Sequence, residues 1–252
     1  MKPPIHTRST MFASCVLGFV LSSCATLRLP NSTSVDAKAE TVLKRLSNSL
    51  ADAHSFSFSG NRDVDASLVP DKNVIRNAKI RGTVQRPGSY AGTVSDSTSV
   101  RTIACDGNTL TIHDSNGNVY GEVAARPTLN RTLDSLISDW AVKPPMAPFL
   151  RSNFYDEVTS VGGKWEWIGV ESVGGTSCDH LRLTIDVGTG DLWVAKANGL
   201  PRQLTITYAT LPGKPQIRVR NLKWNLNVKT FPSQFKPNLP KGATKVEMIP
   251  VN

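Results

Sequence analysis

Long apolar runs, cysteine and histidine are all scarce in this chain. The uncharged apolar stretch from Met11 to Leu21 is far short of the ~20 residues a spanning helix needs, which excludes a transmembrane reading. Beyond the N-terminal segment only Cys105 and Cys178 remain, with three histidines, His54, His113 and His180. No two of those histidines stand at metal-ligand spacing and no C-x-x-C occurs, so zinc and thiol-redox sites drop out. A G-x-S-x-G elbow and a phosphate-cradling glycine loop are absent as well. The chain therefore reads as a non-enzyme with no cofactor and no metal; a hydrolase with an unrecognised site ranks last. His180 is the one tempting base, beside Asp179 and Cys178. Neighbours on a strand point to opposite faces, so Asp179 and His180 make a poor dyad, and a surface or hydrogen-bonding histidine is expected.

Acidic residues nearly vanish at one end. From Pro201 to Asn252 a single acidic residue faces nine basic ones: Arg202, Lys214, Arg218, Arg220, Lys223, Lys229, Lys236, Lys241 and Lys245. From Cys24 to Leu200 the balance is 18 basic against 19 acidic. On a chain outside the cytoplasm, a basic face suits anionic lipid head groups or acidic surface polymer better than nucleic acid. A solvated strand face with a polar tail explains the same residues.

The N-terminus carries an address. Lys2, His6 and Arg8 precede the apolar stretch, and Ser22 and Ser23 are small enough for a peptidase cut; this is the layout of a secretory signal. Leu21-Ser22-Ser23-Cys24 resembles a bacterial lipobox, which implies a signal peptide over 1–23 and lipidation at Cys24. Three acyl chains pass the two-signal threshold for stable anchoring. Ala25 rather than Asp follows the cysteine, which by resemblance favours the outer membrane. Residues 24–33, with Pro30, read as a tether. Removal of 1–23 leaves 229 residues, ample for a core. Residues 34–252 are expected to form a single domain, and a monomer. Export permits a Cys105–Cys178 bridge. It would close a loop of about 70 residues and contribute about 4 kcal/mol in the chain-entropy account, but sequence leaves the pairing open.

Hydrophobic period sets the architecture. Ser34 to Ala53 predicts a helix capped by Ser34, with Ala39, Val42, Leu43, Leu46 and Leu50 on one face. The period then becomes two, predicting strands at 55–62, 78–87, 89–95, 98–105, 109–113 and 118–123. Asp106-Gly107-Asn108 and Asn116-Gly117-Asn118 are hairpin turns. Leu133, Leu136, Ile137 and Trp140 mark a second helix over 128–142, broken by Pro144-Pro145, and Pro148 opens a third with Leu150, Phe154 and Val158. Five more strands follow at 164–173, 178–186, 191–196, 202–210 and 215–228. Helix, six strands, two helices, five strands is an α+β order. About eleven antiparallel strands must curl to protect their edges. The prediction is an open, unclosed β-barrel whose concave face is covered by helices.

Several short marks in fixed order carry a resemblance: Ser55-Phe56-Ser57-Phe58, Cys105-Asp106-Gly107-Asn108-Thr109-Leu110, Pro148-Phe149-Leu150, Cys178-Asp179-His180-Leu181, Asp191-Leu192-Trp193-Val194, Leu200-Pro201-Arg202 and Trp224-Asn225-Leu226. Over residues 40–250 the chain resembles a family of predicted periplasmic proteins of unassigned function. That family looks related in fold to the lipoprotein-localisation factors LolA and LolB. The resemblance implies a half-barrel with helical lids over an apolar cavity that accepts acyl chains. Unlike LolB, this chain has no leucine at the tip of an early hairpin to enter a membrane.

Two functions follow. In the first, a tethered half-barrel binds a lipid, a lipoprotein acyl chain or another apolar ligand. The expected inward face is Leu110, Ile112, Leu181, Leu183, Ile185, Leu204, Ile206 and Tyr208, with Trp140 from the lid. In the second, a structural or interaction lipoprotein has its cavity filled by its own side chains and docks a partner or an anionic surface through the basic C-terminal region. Trp165 and Trp167 share a strand face opposite Glu166. The first function predicts an apolar cavity free of charged side chains; the second predicts a filled core.

Overall fold

In the first helix, α1 (Ala37–Ala51), Ala39, Val42, Leu43, Leu46 and Leu50 form the buried stripe that their spacing predicts. This computed structural model describes residues 33–69 and 76–251. The signal and Cys24 lie outside the described residues, as does most of the tether. The cap of α1 is Asp36 rather than Ser34. Its Oδ1 accepts from the Ala39 amide at 2.7 Å and its Oδ2 from the Trp167 amide at 2.6 Å. A carboxylate suits the positive end of the helix better than a hydroxyl. Ser34 is thereby free to join a two-residue strand, β1 (Ser34–Val35).

The period-two segments form eleven long strands. Six come first: β2 (Ser55–Val64), β3 (Asn77–Gln85), β4 (Ser89–Ser95), β5 (Val100–Asp106), β6 (Thr109–Asp114) and β7 (Val119–Ala124). Five follow the helices: β8 (Lys164–Val173), β9 (Thr176–Ile185), β10 (Gly188–Ala195), β11 (Pro201–Thr207) and β12 (Gln216–Leu226). Each neighbouring pair within a half is antiparallel, and β12 pairs antiparallel with β2. That seam makes one curled sheet, open between β8 and β7. Asp65, just past β2, holds the seam by accepting from the Gln216 amide at 2.9 Å and Arg218 Nη1 at 2.8 Å. Asp63 pairs with Arg220 beside it.

Both open edges are covered by short parallel strands that the periodicity does not reveal. β1 lies along β8 through Ser34 N–H to Gly163 O at 2.9 Å and Asp36 N–H to Trp165 O at 3.0 Å. β13 (Thr244–Lys245) lies along β7, with Thr244 N–H to Asn118 O at 2.9 Å and Lys245 Nζ 2.6 Å from Glu122. Two residues are too few to show a period, yet they occupy the edge groups that would otherwise pair with another chain. The C-terminal segment is thus a strap. Phe235, only 3% exposed, sits in a 3-10 turn (Pro232–Phe235) against β4 and β5, and the Val251 amide donates to Asp139 O at 2.8 Å. Of the nine basic residues after Leu200, Arg218, Arg220 and Lys245 serve these seams as ion pairs.

The helices gather on the concave face. α2 (Leu129–Trp140) is capped by Thr128 and buries Leu129, Thr132, Leu133 and Leu136. The single helix expected from Pro148 is instead two, α3 (Ala147–Leu150) and α4 (Phe154–Thr159), parted at Arg151–Asn153. The break has a use. Arg151, 4% exposed, turns inward to pair with Asp134 at 2.7 Å and Glu157 at 3.5 Å. Arg86 donates to the carbonyls of Leu50 at 3.0 Å and Arg151 at 3.3 Å, receiving the ends of α1 and α3. Cys105 and Cys178 are both buried free thiols, so no bridge joins them.

Candidate functional site

Register, not composition, assembles the site. Trp165, Leu183, Gly190, Ile206, Ile217 and Val64 pair in succession across β8, β9, β10, β11, β12 and β2. One step along, Leu181, Leu192, Leu204, Val219 and Arg62 form a parallel row. Most of these side chains line a cavity of about 420 Å³. Its opposite wall is helical: Ile137 of α2, Met146 and Phe149 around α3, and Phe154 and Val158 of α4. The volume lies within the ~300–1,000 Å³ typical of small-molecule sites. Val161 lines the cavity and is 47% exposed, so the cavity meets solvent beside α4.

Glycines explain why this half is hollow. In the six-strand half a Cβ on Gly82 would lie 2.2 Å from the Phe58 ring, and one on Gly92 2.0 Å from the Tyr90 hydroxyl. Large side chains there lie over the glycines and fill the space. Phe56 and Phe58 meet Trp224 of β12 at 5.9 and 5.3 Å between ring centroids. At Gly190 the nearest atom to such a Cβ is Leu183 Cβ at 3.9 Å. No ring among the described residues covers Gly190, and the cavity occupies the volume.

The wall is not wholly apolar. Arg62, Lys143, Arg151 and Glu157 also line it, which departs from the expectation of a cavity free of charge. Arg151 and Glu157 pair with each other. Burial, and then the nearby Arg101 charge, push the Arg62 guanidinium down to about 10. Burial also pushes the Lys143 ammonium below its ordinary value.

Of the nine expected ligand residues, the structure brings Leu183, Leu204 and Ile206 to this wall. Leu110 and Ile112 are buried on β6 in the six-strand half, and Leu181 is fully buried on β9. Ile185, Tyr208 and Trp140 are partly buried but line no part of the cavity; Tyr208 lies one residue past β11. Sequence reasoning missed Leu192, Ile217, Val219, Val64 and the segment 143–149. The first four follow from inward parity once the register is known. The last carries no period at all.

The polar clusters lie elsewhere. His180 sits on the outer face between two carboxylates contributed by neighbouring strands, Glu171 and Asp191, each 2.8 Å from a ring nitrogen. Its ring stacks on Trp193 at 4.4 Å. Asp179 points the other way and binds Arg45 at 2.9 Å and the Trp167 indole at 3.1 Å. Among the described residues no group of three or more His, Cys, Asp or Glu could hold a metal ion.

These features define an open, helix-lidded half-barrel with an apolar cavity along one half. The sequence profile of the family described as "Predicted periplasmic protein (DUF2092)" matches residues 39–249, and the chain belongs to that family. A search of curated proteins finds no match. Among solved structures, an uncharacterized conserved protein from Thermus thermophilus is similar at 10% identity, with 83% of this chain and 99% of that one covered and a TM-score of 0.49. Mycobacterium tuberculosis lipoprotein LppX is similar at 12% identity over 77% and 98% of the two chains, TM-score 0.46. A LolA superfamily protein from Nitrosomonas europaea is similar at 11% identity over 79% and 98%, TM-score 0.35. All three scores fall below 0.5, so the architecture rests on the chain's own strand order.

Proposed function

We propose that this protein is a membrane-anchored periplasmic lipoprotein that binds a lipid or another apolar ligand in its half-barrel cavity. One observation carries the reading. A cavity of about 420 Å³ remains between the inner face of β8–β12 and the lid, while on β3–β7 the side chains of Phe58, Tyr90 and Met248 lie over the inward glycines. Burial at about 25 cal/mol per Å² makes even one alkyl chain a useful ligand for such a wall. The family's periplasmic description fits the export signal. Lipidation at Cys24, with Ala25 after it, is the anchor we assign, with the outer membrane as destination. A filled-core interaction protein describes only the six-strand half.

Lipid extraction of the purified full chain tests this. The wild type is expected to carry a lipid that Leu183→Arg, which puts a charge into the apolar wall, does not. Equal lipid in both, with Leu183→Arg folded, would remove the cavity from the site. Metabolic labelling with palmitate checks the anchor: Cys24→Ser is expected to lose the label and leave the membrane fraction.

A further inference from the structure

The cavity holds more positive than negative charge, and one cation has no counter-ion among the described residues. Arg62 enters from the sheet side, in the row of Leu204 and Val219, and Lys143 from the lid side. Arg151 and Glu157 answer each other, and Arg151 also answers Asp134. No described residue gives Lys143 a hydrogen bond or an ion pair, and Lys143 is not among the residues with a further interaction. The backbone at Lys143 is restrained: buried Pro144 and Pro145 follow it, and each proline fixes its own φ and restrains the residue before it. An ammonium half-withdrawn from water beside an apolar wall is costly unless an anion meets it, and burial does depress its pKa. At about 420 Å³ the cavity is near the low end of the ~300–1,000 Å³ of small-ligand sites, room for one chain rather than for three.

We propose that the cavity takes an amphiphile with a single alkyl chain and an anionic head, the chain along Leu183, Leu192, Leu204 and Ile206 and the head at Lys143. This rests on the binding function proposed above and names its ligand class. The head is a carboxylate or a phosphate monoester; both accept the charge-assisted hydrogen bonds an ammonium donates.

The test uses the full chain carrying Cys24→Ser, so that no anchor of its own competes for the cavity. Palmitate, palmitoyl lysophosphatidate and the neutral hexadecanol are titrated against it by calorimetry. The expected result is that one of the two anions binds about tenfold or more tightly than hexadecanol, the worth of one hydrogen bond to a charged group. Lys143→Met should erase most of that preference while still binding hexadecanol. The tighter anion identifies the head group. Anion and alcohol of equal affinity, or a preference that survives Lys143→Met, overturns the anionic head and leaves the cavity reading standing. Failure of all three probes to bind overturns both. Retained hexadecanol binding shows that Lys143→Met is folded.

Discussion

The two halves of one sheet are built by the same rule and end differently. Both alternate apolar-in and polar-out, and both place glycine on the concave face. On β2 to β7 the inward glycines lie under large side chains: Phe58 covers Gly82, Tyr90 covers Gly92, Leu222 covers Gly60 and Met248 covers Gly121. On β8 to β12 the inward residues are mostly aliphatic, Gly190 has no cover among the described residues, and the space stays open. The difference is one of cover. Phe58, Tyr90, Leu222 and Met248 close the glycine gaps of the first half, and at Gly190 the nearest atom to an added Cβ is 3.9 Å away. The first half is core, packed to the density at which a methylene is felt; the second is a wall.

Substitutions can break or sharpen that contrast. The largest effect is expected from Phe58→Ala, which removes the ring over Gly82 and beside Trp224. A loss of about 3–5 kcal/mol, read by urea unfolding, matches large-to-small changes in filled cores. Next comes Gly82→Val against Gly190→Val. The first places a Cβ inside the Phe58 ring and should cost about 1–3 kcal/mol by overpacking. The second meets nothing closer than 3.9 Å and should be neutral or stabilising by up to about 1 kcal/mol, because glycine is a poor strand residue. Lipid carried by Gly190→Val should fall at the same time. Equal destabilisation by the two valines would mean that the halves do not differ in packing.

The smallest effect concerns the seam between the halves. The hydrogen bond from Arg218, and then that from the Gln216 amide, hold the Asp65 carboxyl below its ordinary value. A lowered folded-state pKa contributes stability above the unfolded value, and that contribution is lost as the pH falls through the folded value. Thermal melts from pH 7 down to pH 3 should therefore show a small acid-side loss that Asp65→Asn lacks. Asp65 and Arg218 are both about a third exposed, so solvent screening keeps the effect small. A steep loss shared by wild type and Asp65→Asn would place the acid sensitivity elsewhere.

Much of the fold was legible, and the reason is periodicity. Ten of the eleven long strands begin within two residues of the expected positions, and β10, read from Asp191, begins at Gly188. A half-buried strand writes its burial into every second residue. The helices α1 and α2 were equally plain, since three- and four-residue spacing survives in a single sequence. What failed was short or non-local. β1 and β13 are too brief to have a period, and the α3–α4 break follows from Arg151 reaching Asp134 and Glu157. The cross-strand carboxylates at His180 belong to β8 and β10, and adjacency along the chain suggested only Asp179. Leu110 and Ile112 have the same pattern as Leu204 and Ile206, yet line core rather than cavity.

The sequence by itself determined the eleven long strands, the two main helices and which side chains face inward, because each of these is set by residues close together along the chain. Only the tertiary structure decided which inward residues are covered, since that depends on rings, helices and glycines brought together from strands far apart. The cavity, Lys143 at its lid side and the strap over β7 all belong to that second kind. They are properties of the space between elements, and no single segment encodes that space.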